Sequence, residues 1–479
     1  MKLGIKYLFI LFFNILLTNQ AMTKNYCPPE LDALDCIKFL TAKYSLNYLK
    51  LGEEVLQNEL KVIEYELVSQ KYPNNEYYPS TEWKHNLKIF IPKSYSKNTT
   101  PIFYVDIDIK NKQDEEFFVN ISNNTSSIVI RLTMVPNQPI SFPNIANLFE
   151  DDLVAHTWKV FLDDPIENKT MPLHLPMALS IIRAFDLIQA EFSADNYNMS
   201  SFILSGASKR GWAAWLATLA DERVKAIIPI VIDVYNIKNQ FLKLNKVYAN
   251  HWPIALYPYY KINLYKYLDA ENFNSLIQIE DPLAYKNSGK QKRLEIPKYI
   301  VSSSGDDFFL PDSIYDSYID IPGENIFRYI PNSTHFINKS IIEESIIQYA
   351  NALNSNTPGK KLNFKFYEDK FGEKVKIVIE LNKSIKYISL WEAINSHERD
   401  FRYSCGVQYK KRKLEIKNNA KFFSIWIKKP KLGWKASFIE ITHDNNFIQT
   451  TPNIVLPKKE YPMNIINNKS KYCSSLPLH

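Results

Sequence analysis

Between residues 201 and 353 the sequence alternates short β-type runs with helical patterns, and this alternation restricts the possible folds most strongly. Strands are predicted at 201–205, 224–234, 298–303 and 326–330, and helices at 209–220, 312–319 and 337–353. Strands that alternate with helices are typical of a parallel sheet with helices on both faces. Reactive side chains in such sheets collect beyond the carboxyl ends of the strands. We therefore expect an α/β fold, doubly wound around a mostly parallel sheet, with its chemistry at the strand ends.

The flanking segments complete a plan of domains. Leucines at 46, 49, 56 and 60 are spaced as in a helix, whereas the sequence after Pro358-Gly359 changes to closely spaced strands without helices. The predicted units are a signal peptide at 1–21, an N-terminal helical arm at 22–75, an α/β domain at 76–357 with a cap or lid excursion at about 235–296, an all-β sandwich-like domain at 358–462 and a tail at 463–479.

The first 21 residues have the pattern of a secretory signal peptide. Lys2 and Lys6 precede a run from residue 7 to 17 that is apolar except for Asn14, and Ala21 is a small residue at which cleavage could fall. An uncleaved anchor is the alternative. No later segment contains the roughly 18 uninterrupted apolar residues that a membrane span needs. We therefore expect a secreted or periplasmic protein with no transmembrane segment after cleavage.

Cysteine usage agrees with an oxidising compartment, because all four cysteines follow the predicted cleavage point. The disulfide candidates are Cys27, Cys36, Cys405 and Cys473. Pairing Cys27 with Cys36 is the simplest local solution and leaves Cys405 for Cys473, but three pairings are possible and four free thiols are the alternative. No cysteine has the spacing of a zinc ligand. We expect neither a metal nor a cofactor.

The charge of the chain is only mildly basic, with 58 basic and 51 acidic residues mixed along its length. The one dense basic run, at 410–413, lies between strand-like segments and is interpreted as a solvated hairpin turn. We do not expect nucleic acid as a partner.

Ser208 occupies the predicted turn between a buried strand and a helix, in the sequence Gly-Ala-Ser-Lys-Arg-Gly at 206–211. This placement is typical of a nucleophile elbow, in which a sharp turn exposes the serine hydroxyl and the backbone NH of the next residue faces a developing oxyanion. Lys209 would supply that NH. Arg210 stands where the elbow pattern has its second glycine, and Gly211 comes one place later. The alternative is that Ser208 only caps the helix.

A serine nucleophile needs a base and an orienting carboxylate, which should follow at later strand ends in the order Ser, Asp, His. Strand 298–303 is followed by Asp306 and Asp307, and strand 326–330 by His335. We predict that Asp306 is the acid, with Asp307 as the alternative, and that Asp312 caps the next helix. An incidental loop position is the alternative for His335.

The sequence also resembles a known family. The matching motifs are Gly-Ala-Ser-Lys-Arg-Gly-Trp at 206–212 and segments 135–139, 150–158, 175–177, 224–233, 281–285, 305–312, 391–393, 399–402 and 433–436. They are similar to the PhoPQ-activated pathogenicity-related family, which includes autocrine proliferation repressor proteins of social amoebae, over residues 60 to 462. The resemblance implies an α/β-hydrolase fold with Ser208, Asp306 and His335 in the catalytic positions. One departure is that residues 106–111 contain no glycine, where other α/β hydrolases place their second oxyanion donor.

Two functions follow from these patterns. The first is a serine hydrolase that transfers the acyl group of a small-molecule ester or a peptide and is linked to virulence or extracellular signalling. The alternative is a catalytically weak or inactive scaffold that acts on a cell-surface or host protein partner, with Trp391 and Trp434 as contacts. In the 235–296 excursion, the aromatic residues Trp252, Tyr257, Tyr259 and Tyr260 are candidates for a lid or a pocket wall.

Overall fold

The computed structural model describes residues 28, 30–42, 44–56, 59–73, 78–107, 112–194, 196–355, 362–417, 419–465 and 471–478. The predicted signal peptide and Cys27 lie outside these ranges. Within them, no helix is both long enough and apolar enough to cross a membrane.

The described helices and strands follow the predicted alternation closely. The helices are α1 (Ala33–Thr41), α2 (Lys112–Thr125), α3 (Glu150–Asp163), α4 (His174–Phe192), α5 (Lys209–Ala220), α6 (Ile237–Val247), α7 (Tyr257–Lys261), α8 (Glu271–Glu280), α9 (Ser313–Ser317) and α10 (Lys339–Asn354). The strands are β1 (Asn47–Val55), β2 (Lys61–Tyr72), β3 (Thr81–Ile91), β4 (Ile102–Val105), β5 (Val129–Leu132), β6 (Ile140–Phe142), β7 (Ile145–Leu148), β8 (Phe202–Ala207), β9 (Val224–Ile230), β10 (His251–Pro253), β11 (Lys298–Ser303), β12 (Asn325–Ile330), β13 (Phe364–Glu368), β14 (Lys374–Glu380), β15 (Ile385–Asn395), β16 (Lys410–Leu414), β17 (Phe422–Lys428), β18 (Trp434–His443), β19 (Ile448–Thr450), β20 (Ile454–Leu456) and β21 (Ser475–Pro477).

The central sheet has the order β1-β2-β3-β5-β4-β8-β9-β11-β12, in which the strands from β5 to β12 are parallel to their neighbours. Both of its faces are buried. Along β8, Phe202 and Leu204 belong to the core under α4 and α5, whereas Ile203 belongs to the core under α2 and α10. This alternation is expected of a strand covered on both sides. The predicted parallel sheet with helices on both faces is confirmed.

The predicted N-terminal helical arm is only partly a helix. Residues 33–41 form α1, but residues 47–55 form the edge strand β1, which pairs antiparallel with β2. Leu49 therefore lies on an exposed strand, while Leu60 is fully buried just before β2. The leucine spacing matched a helical period by coincidence, because pairing of this segment with β2 sets its conformation.

The C-terminal strands form a sandwich of two layers, and one layer continues the central sheet. β19 pairs with β12, and β18, β15 and β16 follow it in the same sheet. The second layer is the sheet β13-β14-β17, whose residues Val375, Ile377 and Ile379 pack in one core with Ile388 and Ile439 of the first layer. The sandwich-like prediction is confirmed, but its inner layer is joined to the α/β sheet by backbone pairing.

The basic run at 410–413 is not the turn that we predicted. It forms most of β16, the last strand of the extended sheet, with its first four residues exposed. Lysines on an edge strand discourage pairing with another chain. The charged side chains of β16 therefore disfavour the pairing of this edge strand with another chain.

Two contacts tie the tail to the rest of the protein. Cys405 and Cys473 form a disulfide, and β21 pairs antiparallel with β10 of the 235–296 excursion. Cys36 is also disulfide-bonded. The pairing of Cys405 with Cys473 agrees with the simplest of the predicted connectivities.

Candidate active site

Ser208 lies at a sharp turn between β8 and α5. Its backbone has φ 54° and ψ −130°, a left-handed conformation that is rare for a residue with a side chain. It occupies the N-cap position of α5, but its hydroxyl makes no capping hydrogen bond. The turn therefore leaves the Ser208 hydroxyl available to other groups.

Two glycines permit the close approach of strand and helix at this turn. A Cβ atom at Gly206 would come within 2.8 Å of the Arg210 backbone, and one at Gly211 within 2.7 Å of the Gly206 carbonyl oxygen. A Cβ atom does not come this close to a non-bonded heavy atom, so both positions require glycine. The second glycine of the elbow is thus Gly211, one residue later than the usual pattern.

Arg210 and Lys209 fasten the elbow to the beginning of α3. The Arg210 guanidinium donates to both carboxylate oxygens of Glu150 and, at 2.7 Å, to the carbonyl of Val135. The Lys209 ammonium lies 2.8 Å from Glu150 and 3.1 Å from Asp151. Burial alone would raise the pKa of Glu150, but hydrogen bonds and charge from Arg210 and Lys209 outweigh burial and hold it below its ordinary range.

The structure brings Ser208, His335 and Asp306 into one chain of hydrogen bonds. His335 Nε2 lies 2.8 Å from Ser208 Oγ, and His335 Nδ1 lies 2.9 and 3.1 Å from the two carboxylate oxygens of Asp306. Asp306 also accepts a 2.8 Å bond from the NH of Phe308, which fixes the orientation of its carboxylate. The three residues selected from the sequence therefore lie within hydrogen-bonding distance of one another.

The other carboxylates of this loop have different partners. Asp307 accepts hydrogen bonds from the Ser404 hydroxyl and from the backbone NH of His335, whereas the His335 imidazole contacts Asp306. Asp312 makes no capping bond to α9, contrary to prediction; its carboxylate instead pairs with Arg399 and Lys243. Burial alone would raise the pKa of Asp312, but these two cations hold it below its usual range.

One predicted oxyanion donor is well placed, and the second is not found in the described residues. Lys209 is the first residue of α5, where a backbone NH has no partner within the helix. After β4, the NH of Asp106 donates to Leu132 and the NH of Ile107 donates to the Asp106 carboxylate at 2.8 Å. Residues 108–111 belong to the segment that lacks the glycine of other α/β hydrolases, and they lie outside the described ranges.

A cavity of about 640 Å³, including its solvent-open part, lies beside Ser208 and His335. Its walls are mostly apolar. Helix α6 contributes Ile237, Phe241 and Leu244 from the 235–296 excursion. Of the four aromatics considered for a lid, only Tyr259 lines the cavity, and Trp252 is fully buried elsewhere.

Asp233 is a cavity residue that sequence reasoning missed. It follows β9, at the same edge of the sheet as Ser208, and is hydrogen-bonded at 2.7 Å by the Ser302 hydroxyl. Burial raises the pKa of Asp233 from 3.8 to about 7, against the Ser302 bond and with the help of the nearby Asp306 charge. Its place directly after a buried strand is the signal that could have identified it.

Replacing Asp233 with asparagine should change how stability depends on pH. With the native pKa near 7 and the ordinary value 3.8, the native state keeps a proton that the unfolded chain releases, so its stability falls as pH rises through this window. Asparagine removes that loss. Urea unfolding measures the difference in free energy of unfolding between Asp233→Asn and the unmodified protein. This difference should shift in favour of the variant by roughly 2 kcal/mol from pH 5 to pH 8, since one pKa unit is worth about 1.4 kcal/mol. An equal difference at both pH values would contradict the shift.

The strand order, the turn after β8 and the hydrogen-bonded serine, aspartate and histidine after β8, β11 and β12 define the α/β-hydrolase fold. The chain belongs to the PhoPQ-activated pathogenicity-related protein family, whose family model matches residues 38–402. The family assignment drawn from the sequence motifs is therefore confirmed.

Similar proteins include one curated relative and several solved structures. Autocrine proliferation repressor protein A of Dictyostelium discoideum is 31% identical over 384 residues, covering 75% of this chain and 76% of the relative. An acetyl xylan esterase from Paenibacillus sp. R4 is 13% identical with a TM-score of 0.46, covering 69% of this chain and 98% of that chain. Acetyl xylan esterase 1 from Thermoanaerobacterium sp. JW/SL YS485 is 14% identical with a TM-score of 0.44, covering 68% and 95%.

Proposed function

We propose that the protein is a serine hydrolase that cleaves an ester or a peptide by acyl transfer through Ser208. The observation that carries this proposal is the continuous chain of hydrogen bonds from Ser208 Oγ through His335 to Asp306, at the wall of a cavity. A serine hydroxyl is a weak nucleophile until a base takes its proton. His335 is in hydrogen-bonding contact with that hydroxyl.

The reaction follows from these contacts. Ser208 Oγ attacks the substrate carbonyl carbon while His335 Nε2 takes the hydroxyl proton, and the resulting imidazolium gives that proton to the leaving alcohol or amine. Asp306 holds Nδ1–H, so that Nε2 faces Ser208 as an acceptor. Water then attacks the acyl-enzyme with His335 again as base, which releases the acid and restores Ser208.

The oxyanion formed in each half of the reaction needs donors near Ser208 Oγ. We assign one of them to the backbone NH of Lys209. The side chain of Lys209 is held by Glu150 and Asp151 and therefore serves to fix the position of this NH. Lys209 and Arg210 thus both anchor the beginning of α5, directly after Ser208, to the beginning of α3.

Replacing Asp306 and Asp307 with asparagine, one at a time, should distinguish a catalytic carboxylate from a structural one. Asp306→Asn should lower kcat for p-nitrophenyl acetate by about 10³ to 10⁴-fold, because the amide no longer fixes the His335 tautomer. Asp307→Asn is the matched control; Asp307 contacts the Ser404 hydroxyl and the His335 backbone but not the imidazole, and an asparagine oxygen can still accept both bonds, so kcat should stay near that of the unmodified protein. Equal losses in the two variants would exclude Asp306 from its assigned role.

We also propose that the protein works outside the cytoplasm, in virulence or in signalling between cells. The disulfide between Cys405 and Cys473 supports this, since disulfides persist in secreted and periplasmic proteins. The similarity to an autocrine proliferation repressor supports the signalling role. Cell fractionation of the expressed full chain tests the location, and finding the protein in the cytoplasmic fraction with both cysteines reduced would exclude it.

A second candidate function is a scaffold that acts by binding a cell-surface or host protein, and one observation favours it. The outer face of the β13-β14-β17 sheet exposes Tyr367, Phe422 and Trp426. Trp391 and Trp434, the contacts considered from sequence, are instead half-buried, with their indole NH groups bonded at 3.0 Å to Glu440 and to the Glu460 carbonyl.

The two functions are separable by mutation. Biological activity that survives Ser208→Ala but is lost in Trp426→Ala would support binding. Activity lost in Ser208→Ala and kept in Trp426→Ala would support catalysis.

A further inference from the structure

A second histidine lines the cavity beside Ser208. His174 begins α4 and its side chain is fully buried. Its Nδ1 lies 2.9 Å from Glu280 Oε2, whereas its Nε2 has no hydrogen-bond partner among the described residues. A buried polar atom without a partner is rare in folded proteins and needs an explanation.

Glu280 fixes the orientation of the His174 ring through Nδ1. Both carboxylate oxygens are in use, since Trp158 Nε1 donates to Oε1 at 2.8 Å and His174 Nδ1 contacts Oε2. The Glu280 backbone carbonyl also accepts a 2.7 Å bond from Trp212 Nε1, which holds the end of α8 in place. A carboxylate accepts hydrogen bonds, so in the neutral imidazole the hydrogen lies on Nδ1 and Nε2 has the free lone pair.

The position of the ring is fixed as well. Trp212 stacks on one face of His174, with ring centroids 4.2 Å apart and an interplanar angle of 19°. With Nδ1 held by Glu280 and one face covered by Trp212, the other face and the remaining edge are the parts of the ring that can line the cavity. Trp212 follows Ser208 by four residues on α5, which corresponds to about 6 Å of helix rise. His174 therefore packs against the first turn of the helix that follows Ser208, in the same cavity.

The surroundings of His174 in the cavity are mainly apolar. Trp158, Phe241, Leu244, Leu256 and Tyr259 are among the lining residues. A substrate group that enters between them is desolvated, so a hydrogen bond made there contributes to selectivity. A site with a buried polar group discriminates strongly against an analogue that leaves this group unpaired.

We propose that His174 Nε2 accepts a hydrogen bond from a hydroxyl on the substrate group that occupies this cavity. The substrate class is an ester whose buried part is aromatic or similarly apolar and carries a hydroxyl at its far end. Trp212, on which His174 stacks, follows Ser208 by about one helical turn, and a phenyl ring with a para hydroxyl extends over a similar length from the reacting carbonyl. The substrate assignment rests on the proposed hydrolase function, whereas the recognition of the hydroxyl does not.

Binding to the Ser208→Ala protein tests this recognition without any turnover. The probes are phenylacetamide, 4-hydroxyphenylacetamide and 4-methoxyphenylacetamide, which share one ring and amide but differ in whether the far group can donate. Isothermal titration should give about tenfold tighter binding of the hydroxyl compound than of the other two, the usual order for one buried hydrogen bond.

Glu280→Gln in the same background is the decisive second variant, and it keeps His174. Because Trp158 donates to the side-chain oxygen at position 280, the new amide group has to face His174 Nδ1 as a donor. The hydrogen then moves to Nε2, and the preference for the hydroxyl over the methoxy compound should fall to near parity. His174→Phe, which retains the stack on Trp212, should lose the preference too.

The outcomes distinguish this inference from the hydrolase proposal. A hydroxyl preference that disappears in Glu280→Gln supports the role of His174 even if no ester is ever hydrolysed. Equal affinities for the three probes in the Ser208→Ala protein overturn it, as does an unchanged preference in folded Glu280→Gln or binding of none of the probes at millimolar concentration.

Discussion

Ser208→Ala should abolish ester hydrolysis, lowering kcat for p-nitrophenyl acetate by about 10⁴-fold or more while the protein stays folded. The large effect follows from the hydrogen-bond chain, because His335 without its 2.8 Å contact to Ser208 Oγ has no nucleophile to activate. Only binding and the oxyanion donor would remain. Steady-state kinetics together with circular dichroism measure both parts of this expectation.

The matched control is a serine on β8, the strand that leads to Ser208. Ser205 is buried in β8 and donates at 2.9 Å to the Ile228 carbonyl on β9, away from His335. Ser205→Ala should retain kcat. If Ser208→Ala kept substantial turnover, or if both alanine variants lost it equally, Ser208 would not be the nucleophile.

Asp312→Asn should have the largest effect on stability, lowering the free energy of unfolding by about 3 to 5 kcal/mol. Asp312 is 2% exposed and Arg399 1% exposed, with Lys243 at 2.7 Å as the second cation. Removing the carboxylate charge leaves buried positive charge without its counter-ion. Urea unfolding of the variant and the unmodified protein at the same pH gives the difference.

Two further variants test whether the lost stability comes from the buried charge. Asp320→Asn breaks the exposed ion pair with Lys286 and should cost less than about 1 kcal/mol. The double change Asp312→Leu with Arg399→Met should be less destabilising than Asp312→Asn alone, because neither member of the buried pair then remains charged. If Asp312→Asn cost no more stability than Asp320→Asn, the pair of Asp312 and Arg399 would not hold the loop after β11 against the C-terminal strands.

The parallel strands and the elbow were predictable because their signals are local. A buried β-type run, Gly206 and a helical pattern lie within twenty residues, and Ser208, Asp306 and His335 follow, in this order, the ends of parallel strands. The choice of Asp306 over Asp307 also followed from its place directly after Gly305. Local sequence therefore places the hydrogen-bonded serine, histidine and aspartate well.

Other features depend on contacts between distant residues. The pairing of Asp312 with Lys243 and Arg399 joins three separate segments, and no local pattern distinguishes it from a helix cap. The link between His174 and Glu280 spans 106 residues. β1 shows the same limit, since strand pairing overrides a spacing that looked helical.

Labelling of the folded protein with a fluorophosphonate probe tests the central claim most directly. Such a probe reacts covalently with an activated serine, and peptide mapping by mass spectrometry identifies the modified residue. We expect the label on Ser208 in the unmodified protein and none in Ser208→Ala. A folded protein that stays unlabelled, or that is labelled equally at another residue in both forms, would contradict the assignment of Ser208 as an activated nucleophile.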